Sequence, residues 1–335
     1  MRAAILYGKE DLRVEHIDDA VLGEGEVRIA IEATLTCGTD LKVYRRGYHA
    51  RMIIPPAAFG HEFSGTICEV GRGVTGWTLG DRVVVANSAP CGCCDFCQRG
   101  QENLCNDLLF LNGAYAERIV VPARLVAKNM LRLADQTPFV AAALVEPLAC
   151  VVNGLADLKL HSGERVLTIG TGPVGLMFIA LANAAGCQVT AAGRGAERLI
   201  AARRLGASIV GDVEKGEIPE EAFDVVIEAV GKPETWQEAV RKVRKGGRVN
   251  FFGGCPAGTS ISFETGLIHY SNLTLLASFH HTPRTIRQAL HHIESGLIQA
   301  ADFVTGECPL SRLPELLQSM TAGNKAIKTR VRVDQ

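Results

Sequence analysis

Five of the eleven cysteines fall between positions 91 and 105. Cys91, Cys94, Cys97 and Cys105 have the spacing C-x2-C-x2-C-x7-C, which lets one compact loop place four thiolates at the corners of a tetrahedron. Four sulfur ligands with no open position are typical of a structural zinc ion. The spacing leaves open whether Cys93 replaces Cys94. An odd cysteine count with no recognisable secretion signal argues against disulfides, so we predict a structural zinc lobe over residues 88–108.

A second group of candidate metal ligands is dispersed along the chain. Cys37 occurs in Cys-Gly-Thr-Asp, His61 and Glu62 in Gly-His-Glu-Phe-Ser-Gly, and Glu146 in Val-Glu-Pro-Leu. Mixed sulfur, nitrogen and oxygen ligands suit a catalytic zinc, which keeps one position for water or a substrate oxygen. Each residue alone also has an ordinary explanation, as a buried thiol, a core histidine or a carboxylate at a helix start. Spacing alone therefore does not assemble the four into a site.

A glycine turn at 170–175 follows an apolar strand candidate and precedes an apolar helix candidate. This order is that of a dinucleotide site, in which the first glycine makes a tight turn, the second lets the backbone approach the pyrophosphate, and the third lets the helix pack on its strand. The helix amino terminus supplies free N–H groups to the phosphates. A bare turn is the alternative. The residues concerned are Gly170, Gly172, Pro173, Val174 and Gly175.

The end of the second strand of such a domain selects the coenzyme. About 20 residues after the glycine turn, an NAD site carries an Asp or Glu for the ribose 2′-hydroxyl, whereas this chain has Gly193 followed by Arg194. Arg194, helped by Arg198, can pair with a 2′-phosphate through charge-assisted hydrogen bonds. We therefore expect NADP to be favoured over NAD. The alternative is that Arg194 is a solvated residue at the helix start and that both coenzymes bind.

Two patterns of secondary structure divide the chain. The first 150 residues hold short β-rich runs separated by Gly, Pro and Asp, which predicts a mainly antiparallel, barrel-like domain. From about Gly163, apolar strand candidates alternate with helical segments, which predicts a doubly wound parallel sheet. Helices predicted at 285–295 and 310–323 precede a last strand at 328–333 that returns to the first domain. The predicted fold class is α/β, with a β-rich domain beside a doubly wound one.

Composition narrows the choice of partner. The 335 residues include 35 Lys and Arg against 36 Asp and Glu, which leaves no net field to hold nucleic acid or an anionic membrane. The most apolar stretch, 139–156, is interrupted by Glu146 and Pro147, and the amino-terminal apolar run is too short for a secretion signal. We therefore expect a cytoplasmic protein with a small-molecule partner, no nucleic acid and no membrane.

Together these motifs resemble the zinc-dependent medium-chain dehydrogenase/reductase family, and within it the sorbitol and polyol dehydrogenase branch. The resemblance covers nearly the whole chain, because the cysteine lobe, the Glu-Pro step and the glycine turn follow in the family's order. It implies a GroES-like catalytic domain at 1–153, a Rossmann NAD(P)-binding domain at 154–293, and a return to the catalytic domain at 294–335. The family's zinc signature matches Gly60, His61, Glu62, Gly65, Gly71 and Val74.

Carried over by position, the resemblance implies roles for individual residues. Cys37 and His61 become zinc ligands, Glu62 the third, and Glu146 a ligand or the partner of the zinc-bound water. Thr39 hydrogen-bonds the reacting alcohol and passes its proton onward. The implied activity is hydride transfer between NAD(P) and a secondary alcohol of polyol, cyclitol or sugar-like type, giving the ketone. The implied assembly is a homodimer or homotetramer with two zinc ions per chain.

Two positions depart from the family's pattern. Lys42 stands where many members have the histidine that ends the proton relay, and a lysine relays protons only if its pKa is lowered. His280 stands where the sorbitol enzymes have an arginine that meets the polyol, so the substrate need not be sorbitol. Tyr44 and Phe110 are further substrate-binding candidates, with ordinary surface or interface roles as the alternative.

Other functions share parts of this pattern. A simple alcohol dehydrogenase has a cysteine at the position of Glu146, and an L-threonine-type enzyme would be revealed by activity on an amino alcohol. A zinc-free quinone or enone reductase normally lacks Cys37, His61 and the cysteine lobe. A non-catalytic dinucleotide-binding protein is disfavoured by the intact set of ligands.

Overall fold

The computed structural model describes residues 1–49, 51–217, 222–323 and 326–333. Its strands are β1 (Arg2–Gly8), β2 (Asp11–His16), β3 (Val27–Leu35), β4 (Ala57–Ala58), β5 (Phe63–Val70), β6 (Arg82–Val85), β7 (Ser88–Ala89), β8 (Leu109–Phe110), β9 (Arg118–Val121), β10 (Met130–Arg132), β11 (Arg165–Ile169), β12 (Gln188–Gly193), β13 (Ala207–Asp212), β14 (Phe223–Glu228), β15 (Val243–Phe251), β16 (Thr274–Ala277), β17 (Val304–Pro309) and β18 (Lys328–Arg332).

The α-helices are α1 (Gly38–Arg46), α2 (Asp95–Gln98), α3 (Ala123–Lys128), α4 (Phe139–Ala142), α5 (Val145–Leu158), α6 (Pro173–Ala184), α7 (Ala196–Arg204), α8 (Pro233–Lys242), α9 (Thr265–Tyr270), α10 (Pro283–Glu294) and α11 (Leu313–Thr321). The chain forms two compact units. Unit 1 combines Met1–Ala149 with His281–Gln335, and unit 2 is Cys150–His280.

Unit 1 is the β-rich part. Its largest sheet has the order β10-β6-β5-β3-β18-β17, with β9 also paired to β3, and a smaller sheet has the order β2-β1-β4. The pairings are antiparallel except that between β17 and β18. Strand β18, from the end of the chain, pairs with β3 so that Arg330 lies opposite Leu35. Strand β18 therefore shares a sheet with β3, and its Val331 shares a core with Ala4 and Leu6 of β1.

Unit 2 is a six-stranded parallel sheet with the order β13-β12-β11-β14-β15-β16. Helix α6 contacts β11 and β12, and α8 contacts β14 and β15. Strands covered on both faces read as continuous apolar runs, and Val166, Leu167 and Ile169 of β11 are all buried. This topology confirms the predicted α/β fold class.

The predicted dinucleotide-binding domain spans 154–293, while the compact unit around the parallel sheet comprises Cys150–His280. Helix α10 falls within the predicted range, and it contacts α4 of unit 1. Its last residue, Glu294, accepts hydrogen bonds from the Ala134 N–H and the Thr137 hydroxyl, at 3.1 and 3.0 Å. These bonds tie α10 to unit 1. In the described part of the chain, no helix is both long and apolar enough to cross a membrane.

Candidate metal and coenzyme sites

Three of the dispersed metal-ligand candidates meet at one end of the β3–β5 pair. Cys37 caps α1 just after β3, and His61 and Glu62 immediately precede β5. Because β3 and β5 are antiparallel neighbours, the end of one strand lies beside the start of the other. The cysteine sulfur, a histidine nitrogen and a carboxylate oxygen lie within 4.8 Å of one another. These donors match the mixed ligand set of a catalytic zinc.

Asp40 connects two of these candidates and was given no role by the sequence. Its Oδ1 lies 3.0 Å from Nδ1 of His61, and its Oδ2 accepts a hydrogen bond from the Cys37 N–H at 3.0 Å. Burial alone would raise the pKa of Asp40, but His61 and the hydrogen bonds lower it overall. With Nδ1 engaged, Nε2 of His61 is the atom available to a metal. The Cys-x-x-Asp spacing signals the capping box of α1 but not the contact with the histidine.

Glu62, the third candidate, forms a buried ion pair with Lys328. The Lys328 ammonium lies 2.8 and 2.5 Å from the two Glu62 oxygens and donates to the Thr36 carbonyl at 2.8 Å. Lys328 is 2% exposed and Glu62 is fully buried. Burial alone would lower the pKa of Lys328, but the Glu62 carboxylate raises it overall, so the lysine stays charged. Sequence reasoning missed Lys328 because no motif surrounds it on the last strand.

Glu146 lies in the first turn of α5. It is not part of the described cluster of Cys37, His61 and Glu62, whose ligand atoms lie within 4.8 Å of one another. Its carboxylate is buried, which raises the pKa of Glu146 to about 7, and it interacts electrostatically with His61 and Glu62. Nε2 of His281 lies 3.8 Å from Glu146 Oε1 and 3.0 Å from Asn87 Oδ1. Asn87, like Asp40 and Lys328, is a buried residue that the sequence did not single out.

The relay and substrate candidates occupy different environments. Thr39 is half-buried, and its N–H lies 3.4 Å from the Cys37 sulfur, whereas Lys42 is exposed one turn further along α1. Tyr44 is buried in the hydrophobic core of unit 1. Phe110 is half-buried on β8. His280 is half-buried at a φ of 63°, in the left-handed region that non-glycine residues seldom adopt.

The cysteine lobe has the dimensions of a four-sulfur metal site. The Sγ–Sγ distances are 3.9 Å from Cys91 to Cys97, 3.6 Å from Cys94 to Cys97, and 3.8 Å from Cys94 to Cys105. A tetrahedron with zinc–sulfur bonds of about 2.3 Å has edges of about 3.8 Å. Cys93 is exposed, and its sulfur lies outside the group of four. The N–H groups of Cys93 and Cys94 lower the pKa of the Cys91 thiol to about 6.

The three glycines of the dinucleotide turn occupy three different environments. Gly170 has a φ of 111°, which favours glycine. At Gly172 an added Cβ would meet no atom within 4 Å, so the backbone there faces open space. At Gly175 a Cβ would lie 1.9 Å from the Gly170 carbonyl oxygen, so α6 packs directly on the turn. Pro173 and Val174 form the first turn of α6 and are half-buried.

The end of β12 leaves no room for an acidic side chain. A Cβ added at Gly193 would lie 2.1 Å from Thr171 Oγ1, and Thr171 is 3% exposed. Arg194 is exposed, and Arg198, half-buried, stands in the first turn of α7. Burial and the neighbouring Arg194 charge lower the pKa of Arg198. Two arginines therefore lie close together beside the strand end at which a carboxylate would contact the adenosine ribose.

Comparison with known proteins matches both halves of the chain. Residues 23–131 match the alcohol dehydrogenase GroES-like domain, and residues 173–295 match the zinc-binding dehydrogenase family. A D-altritol 5-dehydrogenase from Agrobacterium fabrum is 35% identical, with 88% of each chain covered. An L-threonine 3-dehydrogenase from Bacillus velezensis is 32% identical, with 90% of each covered. The chain belongs to the zinc-dependent medium-chain dehydrogenases.

A solved structure supports this assignment. A zinc-binding dehydrogenase from Sinorhizobium meliloti, bound to NADP, has a TM-score of 0.90 and 28% identity, and the match covers 99% of this chain and 98% of that one. The predicted family, polyol-like branch and reaction class are confirmed. The dehydrogenase is an enzyme that uses zinc and transfers a hydride between NAD(P) and a secondary alcohol.

Proposed function

We propose that this dehydrogenase oxidises a secondary hydroxyl of a polyol, cyclitol or sugar-like substrate to the ketone, with NADP as its preferred coenzyme. The observation that carries the proposal is the convergence of Cys37, His61 and Glu62 from two separate chain segments, with His61 and Glu62 buried and Cys37 half-buried. The 35% identity to a D-altritol dehydrogenase supports a polyol-like substrate.

We assign Cys37 and His61 as zinc ligands and Glu62 as the third. A carboxylate has about four lone-pair positions, so Glu62 can accept hydrogen bonds from Lys328 and still offer an oxygen to a metal. Glu146 is buried close enough to interact with His61 and Glu62 but stands outside their group. We therefore assign it to hydrogen bonding with the substrate hydroxyl or with water.

Zinc, when bound there, lowers the pKa of an alcohol hydroxyl and polarises the matching ketone. The chain's own residues must move the proton. Thr39 accepts the hydrogen bond from the substrate hydroxyl, and Lys42, three residues on, lies on the same side of α1. Thr39 is half-buried and Lys42 exposed. The proton route therefore runs from the site toward solvent, with Lys42 in the position of the family's histidine.

We propose that Arg194 and Arg198 bind the 2′-phosphate of NADP. The contact between Gly193 and Thr171 excludes the carboxylate that would select NAD. Arginine pairs with phosphate through charge-assisted hydrogen bonds. The amino terminus of α6, after Gly172, would bind the pyrophosphate.

Two further proposals concern the whole enzyme. The sulfur–sulfur distances support a structural zinc held by Cys91, Cys94, Cys97 and Cys105, giving two zinc ions per chain. We also propose a homodimer or homotetramer. Strand β16 is the edge of its sheet and pairs only with β15 in the described chain, so its other edge can pair with a second copy.

The first experiment is elemental analysis of the purified protein, with a screen of reduced-coenzyme absorbance. NADP and NAD are tested against polyols, cyclitols, sugars, simple secondary alcohols and L-threonine. Two zinc ions and turnover of a hydroxylated substrate with NADP support the proposal. One zinc ion and no turnover would overturn the assigned catalytic centre. Preferential turnover of L-threonine would instead favour a threonine-type activity. The 32% identity to an L-threonine 3-dehydrogenase supports that alternative.

A further inference from the structure

We propose that Tyr115 is a positioning residue for the catalytic zinc, acting through Asp40 on His61 and Cys37. The inference rests on the metal centre assigned under the proposed function. It concerns a tyrosine that lies outside every motif recognised in the sequence and that is fully buried.

The hydroxyl of Tyr115 fixes one oxygen of the Asp40 carboxylate. Its oxygen lies 2.5 Å from Asp40 Oδ2 and 3.1 Å from the Leu35 carbonyl oxygen. A phenol has one hydrogen to donate, and a charged acceptor gives the stronger and shorter bond. The hydrogen therefore goes to the carboxylate.

Asp40 is in turn bonded to both metal-ligand residues. Oδ2 also accepts from the Cys37 N–H, and Oδ1 faces Nδ1 of His61. Without the Tyr115 donor, Oδ2 would keep only the Cys37 N–H, so the carboxylate would be held less firmly and would fix the orientation of the His61 ring less well. Outer partners of this kind change metal affinity about 10–100-fold when removed.

The position of the Tyr115 ring is itself set by the chain that precedes His61. The Tyr115 N–H donates to the Phe59 carbonyl at 2.9 Å, and the Gly60 carbonyl accepts from the N–H groups of Gly113 and Ala114. A Cβ at Gly60 would lie 2.6 to 2.9 Å from ring atoms of Tyr115. The glycine of Gly-His-Glu therefore leaves room for the Tyr115 ring, one residue before His61.

The test compares Tyr115→Phe with Ser64→Ala. Ser64 is a matched control because it is buried on β5, two residues after Glu62, and its hydroxyl donates to the Phe139 carbonyl rather than to Asp40. Phenylalanine keeps the ring on Gly60 and removes only the donor. Zinc release to a chelator is followed for each variant, and the visible spectrum is recorded after cobalt replaces zinc.

We expect Tyr115→Phe to release one of its two zinc ions about 10-fold faster or more, with an altered cobalt spectrum. The lobe zinc should leave at the wild-type rate, and Ser64→Ala should match wild type in both measurements. Wild-type release and spectrum in Tyr115→Phe would overturn the inference, as would equal acceleration for both ions. A wild-type protein holding only the lobe zinc would instead overturn the assigned catalytic centre on which the inference rests.

Discussion

The two candidate zinc sites are built in opposite ways. The cysteine lobe takes four sulfur atoms from one loop, three from half-buried cysteines and one from the buried Cys105. The catalytic candidate takes three different donors from two chain segments, and it is surrounded by buried charged partners. A site built from one loop requires only that the loop folds. The dispersed site also requires that strands β3, β5 and β18 pair in the correct register. The lobe should therefore govern local stability, and the dispersed site should govern activity.

The strongest test of this contrast pairs His61→Ala with Cys97→Ser. Loss of a catalytic ligand should reduce kcat about 1000-fold or more, because Lewis-acid stabilisation contributes several kcal/mol. Loss of a lobe ligand should lower the melting temperature while kcat per folded molecule stays near wild type. Zinc content should fall from two ions to one in both variants. Equal losses of activity in the two would remove the distinction between the sites.

The buried charges of the dispersed site give the next largest effect. In the zinc-depleted protein, Lys328→Met should reduce the free energy of unfolding by about 3–5 kcal/mol, since it leaves the Glu62 carboxylate buried without a cation. Urea unfolding measures the change. Lys328→Arg, which keeps the charge, should recover much of the loss. A methionine variant as stable as wild type would show that Glu62 takes up a proton or another partner.

The coenzyme site, like the cysteine lobe, is built from residues close together in the sequence. Its selectivity for NADP over NAD depends on charge. Arg194→Ala should weaken NADP binding roughly 10–100-fold and leave NAD binding unchanged, because it removes charge-assisted bonds of about 1.5–3 kcal/mol. Coenzyme titration followed by fluorescence gives both dissociation constants. Arg203→Ala, an exposed arginine in the last turn of the same helix, is the control and should change neither. A matching loss of NAD binding would contradict the assigned contact.

The smallest effect concerns the fifth cysteine of the lobe. Cys93→Ser should keep two zinc ions and wild-type stability, since its exposed sulfur stands outside the group of four. Cys94→Ser should lose the lobe zinc. Elemental analysis and thermal unfolding of the two variants decide between them. The reverse result would make Cys93 the ligand, the alternative that the spacing left open.

Features that depend on neighbouring residues were accessible from the sequence. The cysteine spacing, the glycine turn and the alternation of strands and helices all come from contiguous segments, and β11 (Arg165–Ile169) lies directly before the glycine turn, where the sequence predicts a strand. The amphipathic pattern of α10 predicts that the helix packs, but not on which unit. Its hydrogen bonds to residues 134 and 137 decide that.

Only the tertiary structure decided the contacts between residues that lie far apart in the sequence. Sequence patterns indicate Cys37, His61 and Glu62 as separate candidates, and a family resemblance rather than spacing joins them into one site. Lys328 reaches Glu62 across 266 positions, and Tyr115 reaches Asp40 across 75. Such a contact leaves no local periodicity or spacing, because it depends on which strands pair and in which register. The sequence alone determined the fold class and the kind of chemistry, while strand pairing decided which buried groups hold the site together.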